Sequence, residues 1–183
     1  MREKKAIMDG RDMDRALIRI AHEIIERNQG VSDVALVGVQ RRGVTLAKRL
    51  ARHIASIEKV EVPVGTLDIT SYRDDLSGHS AKKNAEATDI PFNITGKTIV
   101  MVDDVVHTGR TARAAMDAII DLGRPSRLQF AALIDRGHRE LPIRPDYVGK
   151  NLPTSHDELV AVSVTEIDGK EGVSILDSGS EEQ

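Results

Sequence analysis

Apolar side chains at Leu17, Ile20, Ala21, Ile24 and Ile25 recur with the 3.6-residue spacing of an amphipathic helix, which predicts a helix over 12–28 closed by a turn at Asn28-Gln29-Gly30. The run that follows at 34–39 is apolar without interruption, as expected of a strand buried on both faces. A polar loop at 40–43 then leads into a helical pattern over 44–57. The same order returns later: an apolar strand at 98–102, a loop at 103–109 and a helix at 110–122. A further buried strand is predicted at 128–134, and 159–167 alternates like a late, half-exposed strand. Between 68 and 89 the chain is polar and follows neither period, which predicts a lid or a disordered loop.

Alternating strands and helices imply parallel βαβ units in an open α/β sheet. Ligands of such sheets bind beyond the carboxyl ends of the strands, so the loops at 40–43, 103–109 and 135–139 gather along one edge. No internal repeat interrupts the pattern. The reading is one domain over 1–177 with an acidic tail at 178–183.

Composition adds exclusions. The chain has 183 residues and no cysteine, so disulfides, thiolate zinc sites and cysteine nucleophiles are ruled out. Its aromatics are Tyr72, Phe92, Phe130 and Tyr147, too scattered for a base-stacking platform. No apolar run is long enough for a membrane span, and 1–5 is charged rather than signal-like, which points to the cytoplasm. The formal net charge of −3 conceals an asymmetry. Residues 1–60 hold 13 Lys/Arg against 8 Asp/Glu, whereas 156–183 hold 1 against 8. A polyanion site in the first part, masked by an acidic end, is one account of this; ordinary surface charge is the other.

The richest segment is Val102-Asp103-Asp104-Val105-Val106-His107-Thr108-Gly109-Arg110-Thr111. A strand ends in two carboxylates, and a tight turn opens a helix at Arg110. The helix start offers unpaired N–H groups to a phosphate, Gly109 lets the backbone approach, and the hydroxyls of Thr108 and Thr111 add donors. Asp103 and Asp104 suit vicinal hydroxyls or a hydrated Mg²⁺. Together they describe a site for a phosphorylated sugar, although adjacent aspartates and Thr-Gly also serve as turn and cap chemistry. Gln40-Arg41-Arg42-Gly43 places two guanidiniums at the end of the first buried strand, suited to a diphosphate. It lacks the Lys-Ser/Thr ending of a Walker A loop. On the first helix, Arg15, Arg19, His22 and Glu26 form a stripe opposite the apolar face. Such a stripe is a solvated surface or a contact for RNA phosphates.

The segment at 102–111 resembles the signature of type I phosphoribosyltransferases, which bind 5-phosphoribosyl diphosphate. Arg19-Ile-Ala-His-Glu-Ile-Ile-Glu26, Leu67-Asp-Ile-Thr-Ser-Tyr-Arg-Asp-Asp-Leu76, Asp135-Arg-Gly-His-Arg-Glu-Leu-Pro-Ile-Arg144 and Tyr147-Val-Gly-Lys-Asn-Leu-Pro-Thr154 resemble the PyrR family in particular. The resemblance implies an open, mostly parallel sheet flanked by helices, a flexible lid loop and a small hood. It implies uracil phosphoribosyltransferase activity joined to attenuation of pyrimidine-operon mRNA under control of UMP or UTP. By the same resemblance Asp103, Asp104, Arg41, Arg42 and Arg73 carry catalysis, with Tyr72 and Arg73 in the closed lid. Val105, Val106, His107, Thr108, Gly109, Arg110, Thr111, Asp135 and Arg136 complete the substrate site, and uracil lies against 134–137. Mg²⁺ enters chiefly on the substrate diphosphate. The RNA-facing residues are Arg15, Arg19, His22, Arg27, Arg139, Arg144 and Lys150, the partner is a leader hairpin, and the assembly is a dimer or hexamer. Two positions depart from the family pattern. His107 replaces an aromatic, as a plain spacer or as an imidazole able to take a proton from the ring nitrogen, and Gln40-Arg41 stands where Lys-Thr is frequent.

Overall fold

The computed structural model describes residues 2–72 and 88–177. Five parallel strands make the main sheet: β2 (Val34–Val39), β3 (Val64–Leu67), β4 (Thr98–Val106), β5 (Arg127–Asp135) and β6 (Tyr147–Asn151), in the order β3-β2-β4-β5-β6. The predicted helices are present as α1 (Gly10–Asn28), α2 (Arg42–Glu58) and α3 (Arg110–Leu122). Helix α1 starts two residues earlier than its periodicity suggests because Asp9 and Asp12 form a reciprocal capping box; Asp12 N–H donates to Asp9 Oδ1 at 2.8 Å.

Side chains alternate across the central strands. Leu36, Val100, Val102, Ala131 and Leu133 face a cluster completed by α1 and α2 through Leu17, Ile20, Ile24, Leu46 and Leu50. Ala35, Val37, Ile99, Met101 and Ala132 face the opposite cluster, completed by Ala115 and Ile119 of α3. Both faces are covered, which is why these strands read as continuous apolar runs. From β2 the chain steps outward to β3 and then returns to β4 on β2's other side. The crevice beyond β2 and β4 is therefore the switch point at which sheets of this kind receive ligands.

A second sheet, antiparallel and three-stranded, has the order β1-β8-β7, from β1 (Arg2–Met8), β7 (Glu158–Ser163) and β8 (Gly172–Asp177). It supplies Met8, Val162 and Val173 to the α1/α2 cluster, and Val164, just after β7, joins them. Several boundaries differ from the pattern-based expectation. The apolar strand at 98–102 continues through the carboxylate pair to Val106, so the loop shrinks from 103–109 to 107–109. Parallel pairing with β5 carries it on: Asp103 sits opposite Ala132 and Val106 opposite Asp135. Arg42 and Gly43 belong to α2, leaving only Gln40 and Arg41 as loop, with a cis peptide between them. The stretch 159–167 divides into β7 and a short helix, α4 (Thr165–Asp168). Strands β1, β3, β6 and β8 were not expected from the pattern. The tail at 178–183, Arg73 and most of the polar stretch at 68–89 lie outside the described residues. Among the described residues no helix is long and apolar enough to cross a membrane.

Candidate active site

Four strand ends meet at the crevice. Gly43, in the first turn of α2, lies so close to β4 that a Cβ there would run into the Val102 carbonyl. This contact sets the start of α2 beside the acidic pair. Asp103 is 7% exposed and Asp104 half-buried. Asp103 Oδ1 accepts the N–H of Asp104 at 2.9 Å, and Asp104 Oδ1 accepts that of Val105 at 2.8 Å. Burial pushes the Asp104 carboxyl above the ordinary carboxylate range; those N–H bonds and the charge of Arg42 oppose it.

Beyond the pair, Gly109 takes φ +94° and turns the chain into α3. Thr108 Oγ1 accepts the N–H of Arg110 at 3.3 Å. The start of α3 opens on a cavity of about 390 Å³ lined by Asp103, His107, Thr108, Gly109, Thr111 and Glu140. Glu140, not singled out from the sequence, pairs with Arg110 at 2.7 Å; its N–H donates to Thr108 O at 2.9 Å.

A second cavity, of about 380 Å³, lies at the ends of β5 and β6 between Asp135, Arg136, Gly137, His138, Asn151 and Thr154. Arg136 is 4% exposed and spends its guanidinium on the protein itself: Nε donates to Thr154 Oγ1 at 3.1 Å and Nη2 to Glu158 O at 2.7 Å. Its side chain therefore builds the wall of this cavity. His138 Nε2 lies 2.6 Å from Thr154 O; a carbonyl only accepts, so that nitrogen carries the proton. The ring of His138, which lines the second cavity, stands edge-on to that of His107, which lines the first, at 5.9 Å, and lies 4.1 Å from the ring of His156. Burial, then the charge of Arg136, lowers the pKa of His107. Arg139 fastens the two loops together: Nη1 donates to His107 O at 2.8 Å, Nη2 to Asp135 at 2.6 Å and Nε to Ile143 O at 2.7 Å.

The first cavity adjoins the carboxylate pair, and the contact between the His107 and His138 rings links its lining to that of the second, an arrangement suited to a phosphorylated sugar with a planar base beside it. The phosphoribosyl transferase domain family matches residues 3–166. A bifunctional protein PyrR of Roseiflexus sp. (strain RS-1) is 60% identical over 166 residues, 91% of each chain. The bifunctional protein PyrR of Thermus aquaticus is 59% identical over 175 residues, 96% of this chain and 97% of that one. The chain belongs to the phosphoribosyl transferase family, among its PyrR proteins. In fold it is similar to the hypoxanthine-guanine phosphoribosyltransferase of Bacillus anthracis, with a TM-score of 0.72 and 21% identity, covering 95% of this chain and 98% of that one. It is equally similar to the hypoxanthine phosphoribosyltransferase of Trypanosoma cruzi, with a TM-score of 0.74 and 19% identity, covering 95% of each.

Other positions expected to matter in a PyrR protein are placed as follows. Arg42 opens α2 and makes a two-point contact with Asp168, while Tyr72 donates to Asp121 of α3 at 2.9 Å. Arg15, His22, Arg144 and Lys150 are exposed. Helix α1 packs along β6, which brings Arg19, Arg27 and Lys150 to one edge of the molecule. Arg27 pairs with Asp146 at 2.8 Å and lies over the Tyr147 ring. Arg19 donates to Gly149 O at 2.6 Å, to Val148 O at 3.2 Å and to Glu23 at 2.8 Å. Among the described residues no three His, Asp or Glu side chains are placed to hold a metal. Asp103 and Asp104 alone fit a hard cation that brings its remaining ligands on a diphosphate and water.

Proposed function

We propose that this protein is a uridine-nucleotide-responsive regulator that binds the leader RNA of pyrimidine genes and also forms UMP from uracil and 5-phosphoribosyl diphosphate. The observation that carries the reading is 59–60% identity to bifunctional PyrR proteins over more than nine-tenths of the chain. The segment at 102–111 supports it by folding into a strand end, a glycine turn and a helix start around one cavity.

In the reaction a bond forms between uracil N1 and the anomeric carbon, the bond from that carbon to the diphosphate oxygen breaks, and N1 loses its proton. The protein's part is chiefly positioning and charge. The turn at 107–109 and the first N–H groups of α3 hold the 5′-phosphate, and Asp103 and Asp104 accept the ribose hydroxyls. Arg41 and Arg42 meet the diphosphate, while the wall built by Arg136 and the 151–154 segment receives uracil. Mg²⁺, held by the diphosphate and the acidic pair, would neutralise the leaving group.

A second reading, a salvage phosphoribosyltransferase without an RNA role, draws on one observation. The guanidiniums of Arg19 and Arg139 are spent on bonds within the protein. Titration of a pyrimidine-leader hairpin with and without UMP, beside an assay of UMP formation, separates the two. The first reading expects UMP-enhanced hairpin binding that Arg19→Gln and His22→Ala abolish while UMP formation persists. UMP formation with no hairpin binding at any nucleotide concentration would leave the salvage reading.

A further inference from the structure

Two arginines of α2 reach across to α4 and the turn after it, the segment that joins β7 to β8. Arg42 and Arg49 are seven residues apart, two helical turns, and so project from the same side. Arg49 pairs with Glu166 of α4 at 2.6 Å and with Glu171 just beyond it. Arg42 meets Asp168, the last residue of α4: Nε donates to Oδ2 at 3.0 Å and Nη2 to Oδ1 at 2.8 Å. Asp168 Oδ2 also accepts the N–H of Val164 at 2.9 Å, so this carboxylate is fixed to its own segment independently of the arginine. The hydrogen bonding lowers the pKa of Asp168 and raises that of Arg42.

Arg42 stands at the mouth of the loop formed by Gln40 and Arg41, close enough for its charge to act on Asp104. A long arginine must otherwise surrender rotamer freedom when it meets an anion. A two-point carboxylate contact removes that cost in advance and fixes the plane of the guanidinium. It engages Nε and Nη2, leaving Nη1 to meet a second acceptor.

We propose that Asp168 is a positioning residue for the sugar diphosphate: from α4, the helix between β7 and β8, it holds the Arg42 guanidinium in the pose that meets the diphosphate group. The inference rests on the assignment of Arg42 to the diphosphate under the proposed function. It makes α4, which contributes no group to either cavity among the residues described for them, a determinant of diphosphate affinity.

The test is Asp168→Asn, which keeps an acceptor for Val164 but removes the charge and half of the contact with Arg42. Arg49 continues to dock α4. Affinities are measured for inorganic diphosphate and for ribose 5-phosphate, with KM for 5-phosphoribosyl diphosphate and for uracil. The diphosphate Kd and the sugar-diphosphate KM are expected to rise about tenfold, the effect of ~1.4 kcal/mol. Ribose 5-phosphate affinity and the uracil KM stay unchanged. Arg42→Gln weakens diphosphate at least as much, and adding Asp168→Asn to it costs nothing further. Unchanged or tighter diphosphate binding in Asp168→Asn, beside a weakened Arg42→Gln, overturns the positioning role. So does an equal loss for ribose 5-phosphate, which marks a purely structural residue. An Arg42→Gln variant with normal diphosphate affinity overturns the assignment of Arg42 itself.

Discussion

Replacing Glu171 by Gln probes how firmly the second sheet is bolted to the main one. Glu171 is 22% exposed and faces Arg49, itself 16% exposed; Glu171 Oε2 also accepts Thr165 Oγ1 at 2.7 Å and Thr165 N–H at 3.2 Å. The hydrogen bond from Arg49, then those from Thr165, hold its pKa down from 4.5 to about 2 against the opposing effect of burial. A tenfold change in proton affinity corresponds to ~1.4 kcal/mol, so this depression sets a ceiling of roughly 3 kcal/mol on what the ionised carboxylate adds to stability. Glu166 remains on Arg49 and glutamine can still accept one bond, which brings the expected loss at pH 7 to about 2 kcal/mol. In a domain of this size that lowers Tm by roughly 4–8 °C. Because the folded-state pKa is the lower one, the contribution is fully present above about pH 4.5. It disappears as pH falls towards 2. Urea unfolding of wild type and Glu171→Gln from pH 7 to pH 2.5 measures the gap, which should narrow steadily below pH 4.5. A gap independent of pH, or a variant as stable as wild type at pH 7, would refute the reasoning.

Three further outcomes are expected. Burial raises the pKa of Asp104, so kcat/KM for the sugar diphosphate is expected to fall on acidification at a pH above the usual aspartate value of 3.8, as the carboxylate proposed to accept the ribose hydroxyls becomes neutral. Asp104→Asn is slow throughout and lacks that limb in its pH–rate profile. The lowered pKa of His107 leaves the ring uncharged at pH 7, and as a spacer it gives His107→Phe a profile superimposable on wild type; a displaced limb in the variant would instead assign the imidazole a proton-transfer role. Arg136→Met strands the acceptors of Thr154, Ser155 and Glu158, costs at least ~3 kcal/mol in urea unfolding, and raises the uracil KM more than the sugar-diphosphate KM.

The helices and buried strands that frame the site were legible because their burial is regular. Strands β2 and β4 are covered on both faces and α1 on one, and these environments leave uninterrupted runs and a 3.6-residue period in the sequence. The turn at 107–109 was legible for a similar reason: the strand end, Gly109 and the start of α3 are contiguous, so they are written in one segment. Strand β1 shows the opposite case. It reads Arg-Glu-Lys-Lys and is exposed over most of its length, and it is a strand only because β8, some 170 residues away, supplies its ladder.

The sequence by itself therefore determined the parallel α/β core and the family. Tertiary structure alone decided which charges are spent on partners within the protein. Arg139 and Arg19 resemble free surface cations in the sequence, yet one clamps two loops and the other holds carbonyls of β6. Arg42 and Asp168 meet across 126 residues. Local periodicity records whether a side chain is buried; the identity of a polar partner depends on how distant segments pack, and no local pattern carries it.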